Sequence, residues 1–188
     1  MCVNPAHRYT RVAIVLHWLM AALILGNIVL IWVVEQLPEA HIRLAIDTHK
    51  SVGILVLGLL SLRLLWRLGH RPPALPPGTT LMERRLAHAG HVLFYVLIFA
   101  MPFSGWLHDS AWRSAAEFPM RLFGLFEWPR IGWIMALEPF QKQQLHHLFG
   151  EVHEWLANVF YVLFSLHVLA AIKHQFIDRQ PQFKRMWF

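Results

Sequence analysis

The stretch from Val152 to Ile177, VHEWLANVFYVLFSLHVLAAIKHQFI, decides the fold. It is apolar and long enough to cross a bilayer as a helix, which takes about 20 residues. Its two histidines, His153 and His167, are fourteen residues apart. That spacing is close to four helical turns, so both imidazoles leave the same face, roughly 21 Å apart along the axis. One imidazole is therefore predicted near each edge of a membrane core.

The composition of the whole chain favours an integral membrane protein. Of 188 residues, 56% are hydrophobic and 15% are charged, whereas a soluble domain carries about 25% charge. The net charge is +6. The basic residues cluster at the ends of apolar segments, so orientation in a membrane explains them better than a nucleic-acid partner, and none is expected. A single cysteine, Cys2, excludes an intrachain disulfide and a multi-cysteine metal site.

Four segments have the length and composition of spanning helices. They cover about residues 12–34, 42–68, 86–107 and 152–177. The first is too long for a signal peptide, contains His17 and Asn27, and lacks a small-residue cleavage motif, so we expect it to be retained. The pattern predicts an all-α integral membrane four-helix bundle, with residues 1–188 forming a single domain.

The basic residues are distributed unequally between the two ends of this bundle. Eleven Lys and Arg residues belong to the end that carries both termini, and six belong to the other end. The positive-inside rule then predicts both termini in the cytoplasm and, in a Gram-negative host, a periplasmic opposite face.

The two longer connections differ in character. Residues 70–80, HRPPALPPGTT, are proline-rich and predict a stiff, non-helical link. Residues 108–151 are predicted as a loop rich in aromatic residues, whose Trp112, Trp128 and Trp133 suit a membrane–water interface. We expect a short amphipathic stretch of this loop to lie over the periplasmic mouth of the bundle.

The histidines can be matched by depth. His49, at the periplasmic start of the second segment, matches His153. The cytoplasmic level has three candidates, His17, His91 and His167, of which only two can ligate one metal. Zinc is disfavoured because it needs three or four ligands at one depth.

Matched pairs of imidazoles are what haem requires. Haem takes two axial ligands, and bis-histidine ligation leaves no open position on the iron, which favours electron transfer. The alternative is that these are neutral histidines bonded between helices, but ionisable residues at matched depths in a bilayer are usually functional.

Several basic residues have two interpretations each. Arg63 and Arg67 either form ion pairs with haem propionates or serve only to set the orientation of the helices in the membrane. On the periplasmic side, four basic residues either attract an anion or form a solvated rim: Arg43, Lys50, Arg113 and Arg121.

The chain resembles the bacterial cytochrome b561 family of di-haem membrane cytochromes over nearly its whole length. The matching stretches are RYTRVAIVLHWLMA (8–21), DTHKSVGILVLGLLSLRLLWR (47–67), LAHAGHVLFYVLIFAMPFSGW (86–106) and VHEWLANVFYVLFSLHVLAAIKHQFIDRQPQFKRM (152–186). Each motif alone is weak, but four in order at the right spacing are specific.

The resemblance implies two haem b groups in a bacterial inner membrane. It assigns His17 and His167 to the cytoplasmic-side haem, and His49 and His153 to the periplasmic-side haem. His91 is then expected either to contact a haem ligand without binding the iron or to belong to a quinone site. Arg63, Arg67 and Lys50 are further candidates to contact the quinone or the haem propionates.

One member of this family is a superoxide oxidase. The resemblance therefore implies that this chain transfers electrons from periplasmic superoxide to ubiquinone. The rival hypothesis is a relay or anchor subunit that passes electrons between quinol and a partner redox protein. A third possibility, a purely structural membrane protein, requires that the histidines bind nothing.

Overall fold

The computed structural model describes residues 8–74, 78–180 and 182–187. Its architecture is set by four long helices, α1 (Arg11–Val33), α2 (Glu39–Gly69), α3 (Leu81–Ser110) and α5 (Pro139–Ile172), each long and apolar enough to cross a membrane. A short helix, α4 (Gly132–Met135), precedes α5, and another, α6 (Gln182–Arg185), follows it. The predicted membrane four-helix bundle is confirmed. Only helices and closed barrels satisfy their backbone hydrogen bonds in lipid, so apolar segments of this length become helices.

Local signals explain where the helices begin. Thr10 caps α1, with its Oγ1 accepting a hydrogen bond from the Ala13 N–H. Thr80 and Glu83 form a reciprocal capping box at the start of α3. Pro139 opens α5 in the first helical turn, where its missing N–H removes no hydrogen bond.

The fourth spanning helix is longer than predicted. It begins at Pro139 rather than near residue 152, and its last predicted turn, Lys173–Ile177, is a π-helical turn. The first three turns, PFQKQQLHHLFGE, are too polar to be recognised from apolar length. They continue the helix beyond the apolar stretch, and the interhelical segment shrinks from residues 108–151 to residues 111–138.

The long helices pack against one another in chain order. α1 packs against α2, α2 against α3, and α3 against α5. Met20, Val56 and Leu60 form a buried cluster between α1 and α2. Apolar side chains remain exposed over the outside of the bundle, including Leu68 and Val162, as expected of surfaces that face lipid.

The bundle has two chemically different ends. The "termini end" carries the start of α1 and the chain's C-terminal tail, where Trp18 donates to the Met186 carbonyl at 2.6 Å and Arg185 donates to the Ala74 carbonyl at 2.6 Å. The "loop end" carries residues 111–138. In the proline-rich link, residues 71–74 and 78–80 are non-helical, and residues 75–77, like Cys2, lie outside the described residues.

The segment at the loop end contains a small hairpin, so the described chain is not entirely helical. Strands β1 (Arg121–Leu122) and β2 (Phe126–Glu127) pair antiparallel. The hairpin is fastened to α2 because the buried Ser51 hydroxyl accepts a hydrogen bond from the Phe123 N–H at 2.9 Å.

The three tryptophans predicted for an interface differ in environment. Trp133 is exposed, and Trp112 is half-buried. Trp128 instead packs against Trp106, with ring centroids 5.7 Å apart. The hairpin therefore has an inner face that packs on the bundle, and the neighbouring α4 buries Ile134 and exposes Trp133.

Candidate functional site

Two imidazoles face each other inside the loop end of the bundle. His49 extends from α2 and His153 from α5, with ring centroids 6.2 Å apart and planes at 85°. Across the described residues, the structure brings together the pair that depth matching predicted. The separation is compatible with one metal atom held between the two rings, since imidazole nitrogens bind metals at about 2.0–2.1 Å.

These rings line a cavity of about 690 Å³. A volume of this size is typical of ligand and cofactor sites. Its inner walls are apolar and include Ile24, Val56 and Phe160, whereas polar side chains such as Lys50 and His146 line its mouth. The cavity is therefore amphipathic, with the histidine pair inside it.

Hydrogen bonding sets the tautomer of His153. The Ser104 hydroxyl donates to the Met101 carbonyl at 2.9 Å and lies 2.9 Å from His153 Nδ1. Because the hydroxyl has one proton, His153 Nδ1–H is the donor to Ser104, and Nε2 keeps its lone pair. An imidazole oriented through its other nitrogen is the usual arrangement of a metal-ligating histidine.

Asn27 holds the backbone of His49, and one nitrogen of the His49 ring has no hydrogen-bond partner among the described residues. Asn27 Nδ2 donates to the His49 carbonyl at 3.2 Å. Among the described residues, His49 Nδ1 and Asn27 Oδ1 are buried without a hydrogen-bond partner. Unpaired buried polar atoms are rare and call for an explanation, and a cofactor bound beside His49 would provide one.

Glycine makes room for the His153 ring. A Cβ placed on Gly105 would lie 3.2 Å from His153 Cε1, which is tighter than nine in ten real contacts of a Cβ atom. Gly53, one turn after His49, faces Pro102 at an ordinary 3.7 Å. The absence of a side chain at Gly105 therefore leaves the space that the His153 ring occupies.

At the termini end, the three histidines predicted at one depth do converge. His167 and His91 both lie close enough to His17 to act on it electrostatically. The ring of Phe94 contacts His167, with centroids 5.1 Å apart. The geometry of the described residues leaves the choice among the three ligand candidates open, as the sequence did.

Arg63 and Arg67 lie in this cluster, on the same end of α2. Arg63 Nη1 donates to His17 Nδ1 at 3.1 Å, and the Arg67 guanidinium lies 5.9 Å from the Tyr95 ring centre. With Nδ1 accepting, a neutral His17 carries its proton on Nε2. Ligation of iron through Nε2 therefore requires Arg63 to move away and the proton to shift.

Most basic groups at the loop end are already paired. Lys50 Nζ lies 2.7 Å from Asp109 Oδ1, Arg43 pairs with Asp47 at 3.0 Å, and Arg121 pairs with Glu127 at 3.1 Å. Of the four basic residues predicted to attract an anion, Arg113 alone has no ion pair among the described residues.

Sequence reasoning missed several residues around the loop-end pair. Ser104 and Gly105 lie in the family motif of the third helix, but the sequence alone predicted no role for them. His108 and His146 were placed in a predicted loop, although their spacing from Ser104 and His153 signals continuation of the same helices. Both line the cavity.

Comparison with known proteins supports the family. The prokaryotic cytochrome b561 family matches residues 8–188. The chain belongs to this family. Membership makes it an integral membrane protein of electron transfer with haem b. Three features of the site fit a haem: the apolar cavity, the facing imidazoles and the unpaired His49 nitrogen.

Three curated relatives match almost end to end. Cytochrome b561 homolog 2 of Escherichia coli K12 is 35% identical over 97% of this chain and 93% of its own length. Probable superoxide oxidase CybB of Yersinia pestis is 28% identical, over 95% of each chain. Cytochrome b561 homolog 1 of Escherichia coli K12 is 21% identical, over 96% of this chain and 97% of its own length.

Proposed function

We propose that the chain is a single-domain cytochrome with two haem b groups. His49 and His153 would hold the loop-end haem, and His17 and His167 the termini-end haem. The observation that carries this proposal is the His49–His153 pair, facing across a gap inside an amphipathic cavity. Bound there, haem supplies one-electron oxidation and reduction, while the protein provides the ligands, the burial and the access.

The proposed orientation places both termini in the cytoplasm of a bacterial inner membrane. The termini end holds eleven of the 17 Lys and Arg residues and only two acidic residues, Glu83 and Asp178. This asymmetry supports the orientation through the positive-inside rule. The loop end then faces the periplasm.

The specific reaction that we propose is oxidation of superoxide coupled to reduction of ubiquinone. Two superoxide anions, one quinone and two protons yield two molecules of oxygen and one quinol. The name of one relative, a probable superoxide oxidase, supports this proposal. On the chain's side, Arg43 and Lys50 line the loop-end cavity, Arg113 is a further cation of this end, and His91, Arg63 and Arg67 are candidate quinone contacts.

A second candidate, an electron relay to a partner redox protein, is favoured by the charge of the loop end. Nine of the 11 acidic residues lie there, against six basic ones. An acidic surface repels an approaching anion over long distances and attracts a basic protein. Superoxide is the favoured reactant if the cations around the cavity attract it more strongly than the surrounding carboxylates repel it, and a basic protein is the favoured partner if they do not.

The ligand assignment is tested by replacing one histidine at a time. His153→Ala should abolish the loop-end haem and leave most of the other, so the ratio of haem to protein falls by about half. His147→Ala is the matched control because His147 is exposed on the same helix. Two haems retained by His153→Ala would refute the assignment.

The reaction is tested with the purified wild-type protein in detergent. Enzymatically generated superoxide should reduce the haem absorption bands and, with ubiquinone present, form quinol. If the bands respond only to quinol or dithionite, the relay function replaces the oxidase.

A further inference from the structure

Two further histidines form a stacked pair at the mouth of the loop-end cavity. His108 is on α3 and His146 is on α5, and their rings lie 3.9 Å apart with planes at 14°. Both are half-buried and both line the cavity that contains His49 and His153. The ligand pair and the stacked pair therefore border the same space from different levels.

The stacked pair is unsuited to binding a metal ion. The lone pairs of an imidazole lie in its ring plane, so nearly parallel rings direct them side by side rather than toward one point. The described residues contain no group of three or more potential ligands that could hold a metal. A different role must explain why two polar rings face the cavity.

Hydrogen bonding leaves one nitrogen of the pair available. His146 Nδ1–H donates to the His108 carbonyl at 3.0 Å, so His146 Nε2 is left for a ligand. His108 packs against the backbone of α5, since a Cβ on Gly150 would lie 3.2 Å from His108 Nε2. His108 thus positions His146 by stacking and through its carbonyl.

The basic groups that line the mouth are already paired with carboxylates. Asp109 accepts from Lys50 at 2.7 Å and from Arg130 at 2.8 Å. Arg43 pairs with Asp47. Among the described residues, His146 Nε2 has no hydrogen bond or ion pair, so it can bind a ligand at the polar mouth.

We propose that the His108–His146 pair anchors a carboxylate of the loop-end haem. This inference rests on the proposed function, because it requires haem between His49 and His153. Haem is apolar except for two carboxylates, and the cavity is apolar inside and polar at its mouth. His146 Nε2 and a carboxylate oxygen can share one proton, as N–H···O or as O–H···N, so the contact forms whichever atom holds it.

The test compares haem with haem dimethyl ester, which lacks free carboxylates. Both are added to the full-length apoprotein in detergent, and the affinity of the loop-end site is measured by absorbance titration. His146→Phe keeps a stacking ring but removes the nitrogens, and His147→Phe is the matched exposed control. The loop-end site is identified as the one lost in His153→Ala.

We expect His146→Phe to weaken haem binding at this site by roughly tenfold, as for loss of a hydrogen bond to a charged group. Binding of the dimethyl ester should be unchanged, and His147→Phe should alter neither. His146→Gln restores a hydrogen-bonding group and should recover part of the affinity for haem. If the phenylalanine variant does not fold, the glutamine variant is used to compare haem with its dimethyl ester.

Three results would overturn the inference in distinguishable ways. Equal losses for haem and for the ester would show that the pair only packs against the ring. No loss for either would show that the pair contributes nothing to binding, and in both cases the two-haem proposal would survive. A wild-type protein that binds no haem at this site would reject the proposed function and the inference together.

Discussion

Replacing Asp109 by asparagine should destabilise the protein strongly. The Asp109 side chain is 4% exposed and accepts from Lys50 at 2.7 Å and from Arg130 at 2.8 Å. Arg130, itself 7% exposed, also donates to the carbonyls of Ala115 and Phe118. Asp109→Asn leaves these two cations without their shared counter-charge, and breaking a buried pair costs about 3–5 kcal/mol. For a chain of this length, that corresponds to a fall in Tm of roughly 6–20 °C.

Asp47→Asn is the matched control for this prediction. Asp47 also pairs with two cations, Arg43 and Lys50, but its side chain is 38% exposed, so its loss should cost at most about 1 kcal/mol. Thermal unfolding of both variants in detergent, followed by helical circular dichroism, measures the difference. Trypsin should also cleave faster after Arg113 in the Asp109 variant, because Arg130 no longer holds residues 115–118 in place.

Equal melting temperatures for the Asp109 and Asp47 variants would refute the reasoning. That result would mean that the Asp109 network is as well solvated as a surface pair. A lower Tm without faster cleavage would retain the energetic argument but reject the role of the network in fastening residues 111–138.

Three further predictions concern single residues. Ser104→Ala removes the acceptor that orients the imidazole of His153, the proposed ligand, and should weaken haem binding at the loop end by roughly 10–100-fold, measured by haem transfer to apomyoglobin. Gly105→Ala should lower the haem-to-protein ratio by displacing that imidazole, whereas Gly26→Ala, with no atom within 4 Å of its new Cβ, should not. At the termini end, a hydrogen bond from Lys173 lowers the pKa of Asp178 below its usual value. The stability that this provides is present at neutral pH and is lost as the pH falls through the lowered pKa, so Asp178→Asn should flatten the acid limb of Tm against pH.

The sequence alone determined the membrane-spanning helices and the depth of their histidines. Apolar length dictates a helix in lipid because the backbone finds no other hydrogen-bond partners there. The helical period then places His153 and His167 on one face at two depths. Depth also matched His49 to His153, since antiparallel helices bring residues at equal depth to the same level.

The start of α5 could not be predicted from apolar length. Residues 139–151 are helical but polar, and a hydropathy criterion recognises only the part of a helix that suits lipid. The small hairpin at residues 121–127 was missed for a related reason, because its two-residue strands have too few positions for an alternating pattern.

Only the tertiary structure decided what surrounds the His49–His153 pair at the loop end. Ser104 contacts His153 although 49 residues separate them, and Asp109 joins Lys50 to Arg130. Such contacts depend on how each helix is rotated about its axis and which neighbour it meets. The periodicity of one segment sets which residues share a face, but packing against the other helices sets where that face points.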